Sequence, residues 1–191
     1  TVDDLLELSR IEFGDDAELV EVQAGSIVGE AVARISTAAE NADVTVTVEV
    51  DPELVVHGDR RQLVSAVFNL LDNAVKYSPP DSDVVVAAAS TAGHIELTVA
   101  DQGVGIPRRD LDRVFERFYR VDRARSRGTG GTGLGLAIVR HVASNHRGEV
   151  SVDSTEGVGS TFTLSLPLPG SDGIAGPEHP QRTEPLPTGD Q

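Results

Sequence analysis

The chain has 191 residues, 39% of them apolar, and a formal net charge of −15. That length suits one packed domain with appendages, and the acidic balance excludes general binding to nucleic acid or to an anionic membrane, which needs a basic surface. Without cysteine, disulfides and thiolate metal sites are excluded, and no apolar run approaches the ~18 residues of a membrane span.

Thr1 to Glu12 places Val2, Leu5, Leu6, Leu8 and Ile11 near helical spacing with no cap ahead of them. Residues 1–13 read as the end of a helix from a longer protein. Gly14 stops it, and the acidic stretch 14–24 reads as a linker. Residues 25–168 then form the domain. An amphipathic helix is expected from about Ser26 to Asn41, with Ile27, Ala31, Val32, Ile35 and Ala38 on one face.

Val44 to Val50 alternates cleanly: Val44, Val46, Val48 and Val50 point one way, Thr45, Thr47 and Glu49 the other, as in a half-buried strand. Asp51-Pro52 turns the chain into a short strand at Leu54-Val55-Val56. Asp59, with Gln62 three residues on, opens a helix in capping-box fashion. That helix runs to about Ser78 and buries Leu63, Ala66, Val67, Leu70, Leu71 and Ala74 before Pro79-Pro80 ends it. Val84 to Ala89 reads as a central strand, and His94 to Ala100 as a strand turning Ile95, Leu97 and Val99 inward.

After Gly135 a helix buries Leu136, Ile138, Val139 and Val142 and stops at Gly148. Two strands, Glu149 to Ser154 and Ser160 to Leu166, close the domain. The pattern predicts an α/β (α+β) two-layer sandwich, in which three helices cover one face of a mixed, mostly antiparallel sheet of about five strands. Residues 169–191 are proline-rich and nearly devoid of apolar side chains, the composition of a disordered tail.

Three motifs carry chemistry. Asn69 and Asn73 are four residues apart and share a helix face, with Lys76, the chain's only lysine, and Tyr77 one turn further on. An amide oxygen is a hard ligand suited to Mg²⁺, and a lysine can act as a point charge on phosphate. A polar solvent face with a chance asparagine pair fits these residues equally well. Asp101-x-Gly103-x-Gly105, with Ile106 next, follows a strand; such a carboxylate can accept a hydrogen bond from an exocyclic amine. Gly128 to Gly135 holds five glycines in eight residues and leads into a helix, a ready anion site. Between the glycine clusters, residues 108–127 hold eight arginines against four carboxylates, as expected of a flap over phosphates. Phe115-Glu-Arg-Phe118-Tyr119 within it reads as a hydrophobic latch on the core or on a partner. The five histidines lack metal-ligand spacing and read as structural or exposed.

In order and spacing these motifs resemble the ATP-binding catalytic domain of sensor histidine kinases, within the superfamily that includes gyrase, the mismatch-repair ATPase and the heat-shock chaperone. Asn69–Tyr77 is similar to the N box, Asp101–Ile106 to the first glycine box, Phe115–Phe118 to the F box and Gly131–Leu136 to the second glycine box. The flap and tail look most like actinobacterial phosphate-sensing kinases. The resemblance implies a Bergerat-type fold and the cofactors ATP and Mg²⁺. It implies that Asn73 coordinates Mg²⁺ with Asn69 assisting, that Lys76 contacts phosphate and that Tyr77 packs on adenine. Asp101 would accept the adenine amine, Gly103, Gly105 and Ile106 would line the base, Gly131, Thr132, Gly133, Leu134 and Gly135 would cradle the phosphates, and Thr161 would lie near adenine. Arg120 and Arg123, in a lid of about 107–130, are expected on the phosphates.

ATP-hydrolysing relatives carry a glutamate where Asn69 stands, so slow hydrolysis and phosphoryl transfer are expected. The acceptor histidine is expected upstream, on a phosphoacceptor and dimerisation domain. A homodimeric full-length protein is implied, membrane-anchored by upstream segments, with this domain in the cytoplasm and a response regulator as partner. Two other readings remain: a serine kinase of the anti-sigma-factor type, and a non-catalytic module that binds nucleotide to dock a partner.

Overall fold

The computed structural model describes residues 19–91, 93–121 and 131–168. The expected helix end at 1–13, residues 14–18 of the linker, residues 122–130 of the lid with Arg123, and the tail lie outside them. The described residues form β1 (Val20–Gln23), α1 (Ala24–Asn41), β2 (Val44–Val50), β3 (Val55–Gly58), α2 (Arg60–Tyr77), β4 (Ser82–Thr91), β5 (His94–Asp101), a 3₁₀ turn at Arg108–Asp110, α3 (Gly135–Asn145), β6 (Glu149–Thr155) and β7 (Gly159–Pro167).

The main sheet has the order β2-β4-β5-β7-β6. β2 and β4 pair in parallel and every other pair is antiparallel, so the expected mixed, mostly antiparallel sheet is present. A parallel neighbour needs a long crossover, and α2 lies within the one from β2 to β4. Inward residues Val84, Val86, Ile95, Leu97, Val99, Phe162, Leu164 and Leu166 are buried against the helical layer. Their alternates include Glu96, Thr98, Thr163 and Ser165, which leave the other face polar. Three helices over one sheet face give the two-layer sandwich.

Three details differ from expectation. The acidic stretch 14–24 is not all linker: its last residues form β1, which pairs antiparallel with β3 and buries Val22. On α1 the buried face is Ala24, Ile27, Val28, Ala31, Ile35 and Ala39, whereas Ala38 is exposed. With alanine at both 38 and 39, spacing alone does not decide between them. Val48 is 47% exposed although its strand alternates perfectly, because β2 is an edge strand.

α2 shows how sequence sets the site-bearing helix. Asp59 caps it, its Oδ1 accepting from the Arg61 and Gln62 N–H groups at 2.8 and 3.2 Å. Gln62 does not complete the box, because the Asp59 N–H donates instead to His146 Nε2 at 2.9 Å. Leu63, Val67, Leu70, Leu71 and Ala74 are essentially inaccessible, and Ser78 leaves helical geometry ahead of the prolines.

Candidate functional site

The functional residues gather where α2, the end of β5 and the start of α3 meet. The Asn69 Nδ2 donates to the Ser65 carbonyl at 2.9 Å. This one-turn back-bond fixes which way the amide faces: a Cβ built on Gly135 would lie 2.7 Å from Asn69 Oδ1. The oxygen therefore faces the first residue of α3, whose N-terminus carries no side-chain cap. Uncapped N–H groups and the positive end of the helix dipole favour an anion there. Asn73, half-buried one turn further along α2, has no side-chain partner among the described residues. Lys76 pairs with Asp72 at 3.3 Å, and its Nζ would lie 3.7 Å from a Cβ on Gly131. Asn69 and Lys76 thus meet the second glycine segment at two points.

Asp101 ends β5 with its side chain on the helical face. Its Oδ1 accepts from the Gly103 N–H at 2.8 Å and the Ser160 N–H at 3.2 Å, which leaves Oδ2 available to a donor. Burial pushes its pKa above the ordinary carboxylate value, and the two N–H groups pull the other way. Tyr77 is 42% exposed, and its carbonyl accepts from the Val104 N–H at 3.3 Å. Gly103 is required by this packing, since a Cβ there would crowd both Asp101 Oδ1 and the Tyr77 carbonyl.

Gly105 and Gly133 serve the chain itself before any ligand. Both have positive φ, 66° and 73°. A Cβ on Gly105 would collide with the Thr155 carbonyl, and one on Gly133 with the Phe118–Tyr119 backbone. Leu134 is fully buried, so only its backbone can face a phosphate. Ile106 packs on the core and its N–H donates to Ser154 Oγ at 2.8 Å.

Thr161 requires a correction. It pairs with Ala100, whereas Asp101 pairs with Ser160. Alternation therefore puts the Thr161 side chain on the outer face of the sheet and Ser160 on the face of Asp101. Ser160 is buried and its Oγ lies 3.0 Å from Ser154 Oγ. A depression of about 250 Å³ opens beside these residues, lined by Asp101, Asp153, Ser154, Val158, Ser160 and Thr161 among others. Reading strand parity from Val99 to Asp101 and from Phe162 back to Ser160 would have found the right neighbour.

The first half of the arginine-rich segment is fastened down. Val114 and Phe115 enter the core, where Phe115 meets Phe162 edge-on at 6.3 Å between ring centroids. Phe118, at φ 62° and 58% exposed, donates its N–H to the Gly133 carbonyl at 2.8 Å. Arg120 Nη1 donates to the Gly131 carbonyl at 2.6 Å. Tyr119 OH bonds Asp110 at 2.7 Å, and Arg113 lies over the Tyr119 ring at 4.2 Å. Phe115 thus latches on the core while Phe118 stays exposed, and Arg120 holds the backbone of the second glycine segment.

Residues 58–170 match the family of histidine kinase-, DNA gyrase B- and HSP90-like ATPases. The chain belongs to this ATPase family. It is 49% identical over 167 residues to the sensor-like histidine kinase SenX3 of Mycolicibacterium smegmatis, covering 87% of this chain and 44% of that protein. It is 40% identical to the phosphate regulon sensor protein PhoR of Pseudomonas aeruginosa over 85% of this chain and 37% of that one. The chain therefore spans under half the length of these relatives. Among solved structures, the mycobacterial sensor histidine kinase MprB superposes with a TM-score of 0.69 at 36% identity, over 78% of this chain and 97% of that one. Full-length ShkA in complex with AMPPNP gives 0.74 at 27% identity, over 87% and 35%. The ATPase-family match begins at Gly58, the last residue of β3; β1, α1, β2 and the rest of β3 precede it.

Proposed function

We propose that the chain is the ATP-binding catalytic part of a two-component sensor histidine kinase. It takes ATP·Mg²⁺ between α2 and the start of α3. The observation that carries this reading is the convergence of Asn69, Lys76 and the uncapped α3 N-terminus within one small volume, with the open oxygen of Asp101 at the end of β5. Asp101 Oδ2 takes the adenine amine, Tyr77 offers a ring face to the base, and the N–H groups from Gly131 to Gly135 with Lys76 take the phosphates. Ser160 replaces Thr161 as the adenine-side hydroxyl.

The site's donors fit a magnesium ion. The Asn73 amide supplies a hard oxygen with no competing partner among the described residues, and Mg²⁺ takes few protein ligands when phosphates and water provide the rest. Asn73 would hold the ion, with Asn69 beside it; bound there, Mg²⁺ would neutralise phosphate charge. At position 69 an amide cannot take a proton from water, so the chain orients ATP without activating a hydrolytic nucleophile. The γ-phosphorus forms its new bond to a histidine nitrogen supplied by a phosphoacceptor domain, the bond to the bridging oxygen breaks, and ADP leaves. Positioning and charge stabilisation carry this step.

A response regulator would receive the phosphoryl group, the full-length protein would be a homodimer, and upstream segments would anchor it in the membrane. Incubating this chain with labelled ATP and a separate phosphoacceptor domain tests the reading. Acid-labile, alkali-stable label on the acceptor is expected, and nucleotide binding without transfer would sink the kinase assignment.

A further inference from the structure

We propose that Asn145 and His146 form a clasp that positions α3 against α2, and so sets the geometry of the phosphate end of the site without touching it. The inference rests on reading α2 and α3 as the walls of an ATP site. The Asn145 Nδ2 donates to Gln62 Oε1 at 3.0 Å, and the Asp59 N–H donates to His146 Nε2 at 2.9 Å. Both bonds join the C-terminal end of α3 to the N-terminal end of α2. The N-terminal end of α3, Gly135, meets Asn69 in the middle of α2, so the two helices run antiparallel over this stretch. Seven residues separate Gln62 from Asn69, about 10 Å along the axis.

At the site the tolerance is small, since a single methyl group on Gly135 would lie 2.7 Å from Asn69 Oδ1. Apolar packing along the helices is non-directional, whereas a hydrogen bond requires one alignment of donor and acceptor. The clasp supplies the direction. His146 is itself immobilised: Nδ1 lies 2.7 Å from the Val142 carbonyl, and a Cβ on Gly58 would come within 2.6 Å of its ring.

Donating from Nδ1 while accepting at Nε2 requires a neutral imidazole. Burial pushes its pKa below the ordinary value; the bond to the Val142 carbonyl and then the Asp59 carboxylate oppose this, and His57, on β3, adds to it. A proton on Nε2 would oppose the Asp59 N–H and draw the Asp59 carboxylate from its capping bonds. The clasp is therefore complete above the unfolded histidine value of about 6.5 and opens as pH falls through the lowered folded value.

The test measures ATP affinity by calorimetry for the full chain and three variants between about pH 5.5 and 8, with thermal melts alongside. Asn145 is exposed, so Asn145→Ala should melt cooperatively yet bind ATP about fivefold more weakly at neutral pH. Wild type should lose more affinity toward the acid end than His146→Gln does. His146→Gln, which keeps an acceptor and a donor but cannot titrate, should hold neutral affinity within about twofold and flatten that acid limb, whereas His146→Ala should not. Unchanged affinity in Asn145→Ala, or an acid limb equal in wild type and His146→Gln, would overturn the clasp. A wild type that never binds ATP would instead overturn the functional reading. In that event amide exchange in the nucleotide-free chain judges the clasp: faster exchange at residues 135–138 in Asn145→Ala supports it, and identical exchange overturns it.

Discussion

Asp101 illustrates a residue whose environment opposes its own ionisation. Its carboxyl is held above the usual value chiefly by burial, so ionising it costs folded-state stability, and that cost appears as pH rises through the raised value. Asp101→Asn should therefore melt at a higher temperature than wild type at neutral pH, because Oδ1 can still accept both N–H groups. It should also lose more than about tenfold in ATP affinity, about 1.4 kcal/mol, since its new amide N–H₂ would face the adenine amine. A melt and a titration check both halves. The glycines divide in the same spirit. Gly105→Ala places a Cβ on positive-φ backbone against a carbonyl and should cost more than about 1 kcal/mol in denaturant unfolding. Gly135→Ala sits in ordinary helix and should fold normally while displacing the Asn69 amide and abolishing phosphotransfer. Most of these residues were legible because their chemistry is local: an asparagine pair at helical spacing, an aspartate at a strand end. Ser160 was legible only by carrying strand parity into β7, and His146 was not legible. The Asp59 partner of His146 is 87 residues away, and no short-range pattern encodes such a contact.

At the scale of elements, α2 and the flap carry different burdens. Leu70 is inaccessible on the buried face of α2, so Leu70→Ala should lower unfolding free energy by about 2–5 kcal/mol, measured by urea titration. Phe115 holds the described part of the flap to β7 through Phe162. Its removal should release that segment more than it destabilises the sheet, so trypsin should cut Phe115→Ala after Arg117 and Arg120 well before wild type. Helical elements were legible from their 3.6-residue period, and the cap at Asp59 from its residue type. β1 was not, because four residues with one buried valine leave no periodicity to read. In the flap the aromatic latch was legible, and Val114 and Phe115 tie the described residues 107–121 to the core.

For the whole molecule, the layer arrangement followed from one-sided strands and apolar-striped helices, but the position of β2 did not, since strand order is a long-range property. β2 lies at the end of the sheet with one edge unpaired among the described residues, and Val48 is 47% exposed beside it. Its sequence, Val-Thr-Val-Thr-Val-Glu-Val, is β-branched at nearly every position and lacks proline, which is the composition of an aggregation template. Charge opposes edge-to-edge pairing of copies: −15 per chain, with Glu49 and Asp51 near the edge itself. That protection vanishes near the isoelectric point of about 4.6. Light scattering should rise steeply as pH approaches that value, and Val48→Lys, which interrupts the apolar edge and shifts the local charge, should delay the onset. The same strand that completes the sheet thus makes the pH at which this chain begins to associate a property of one exposed edge.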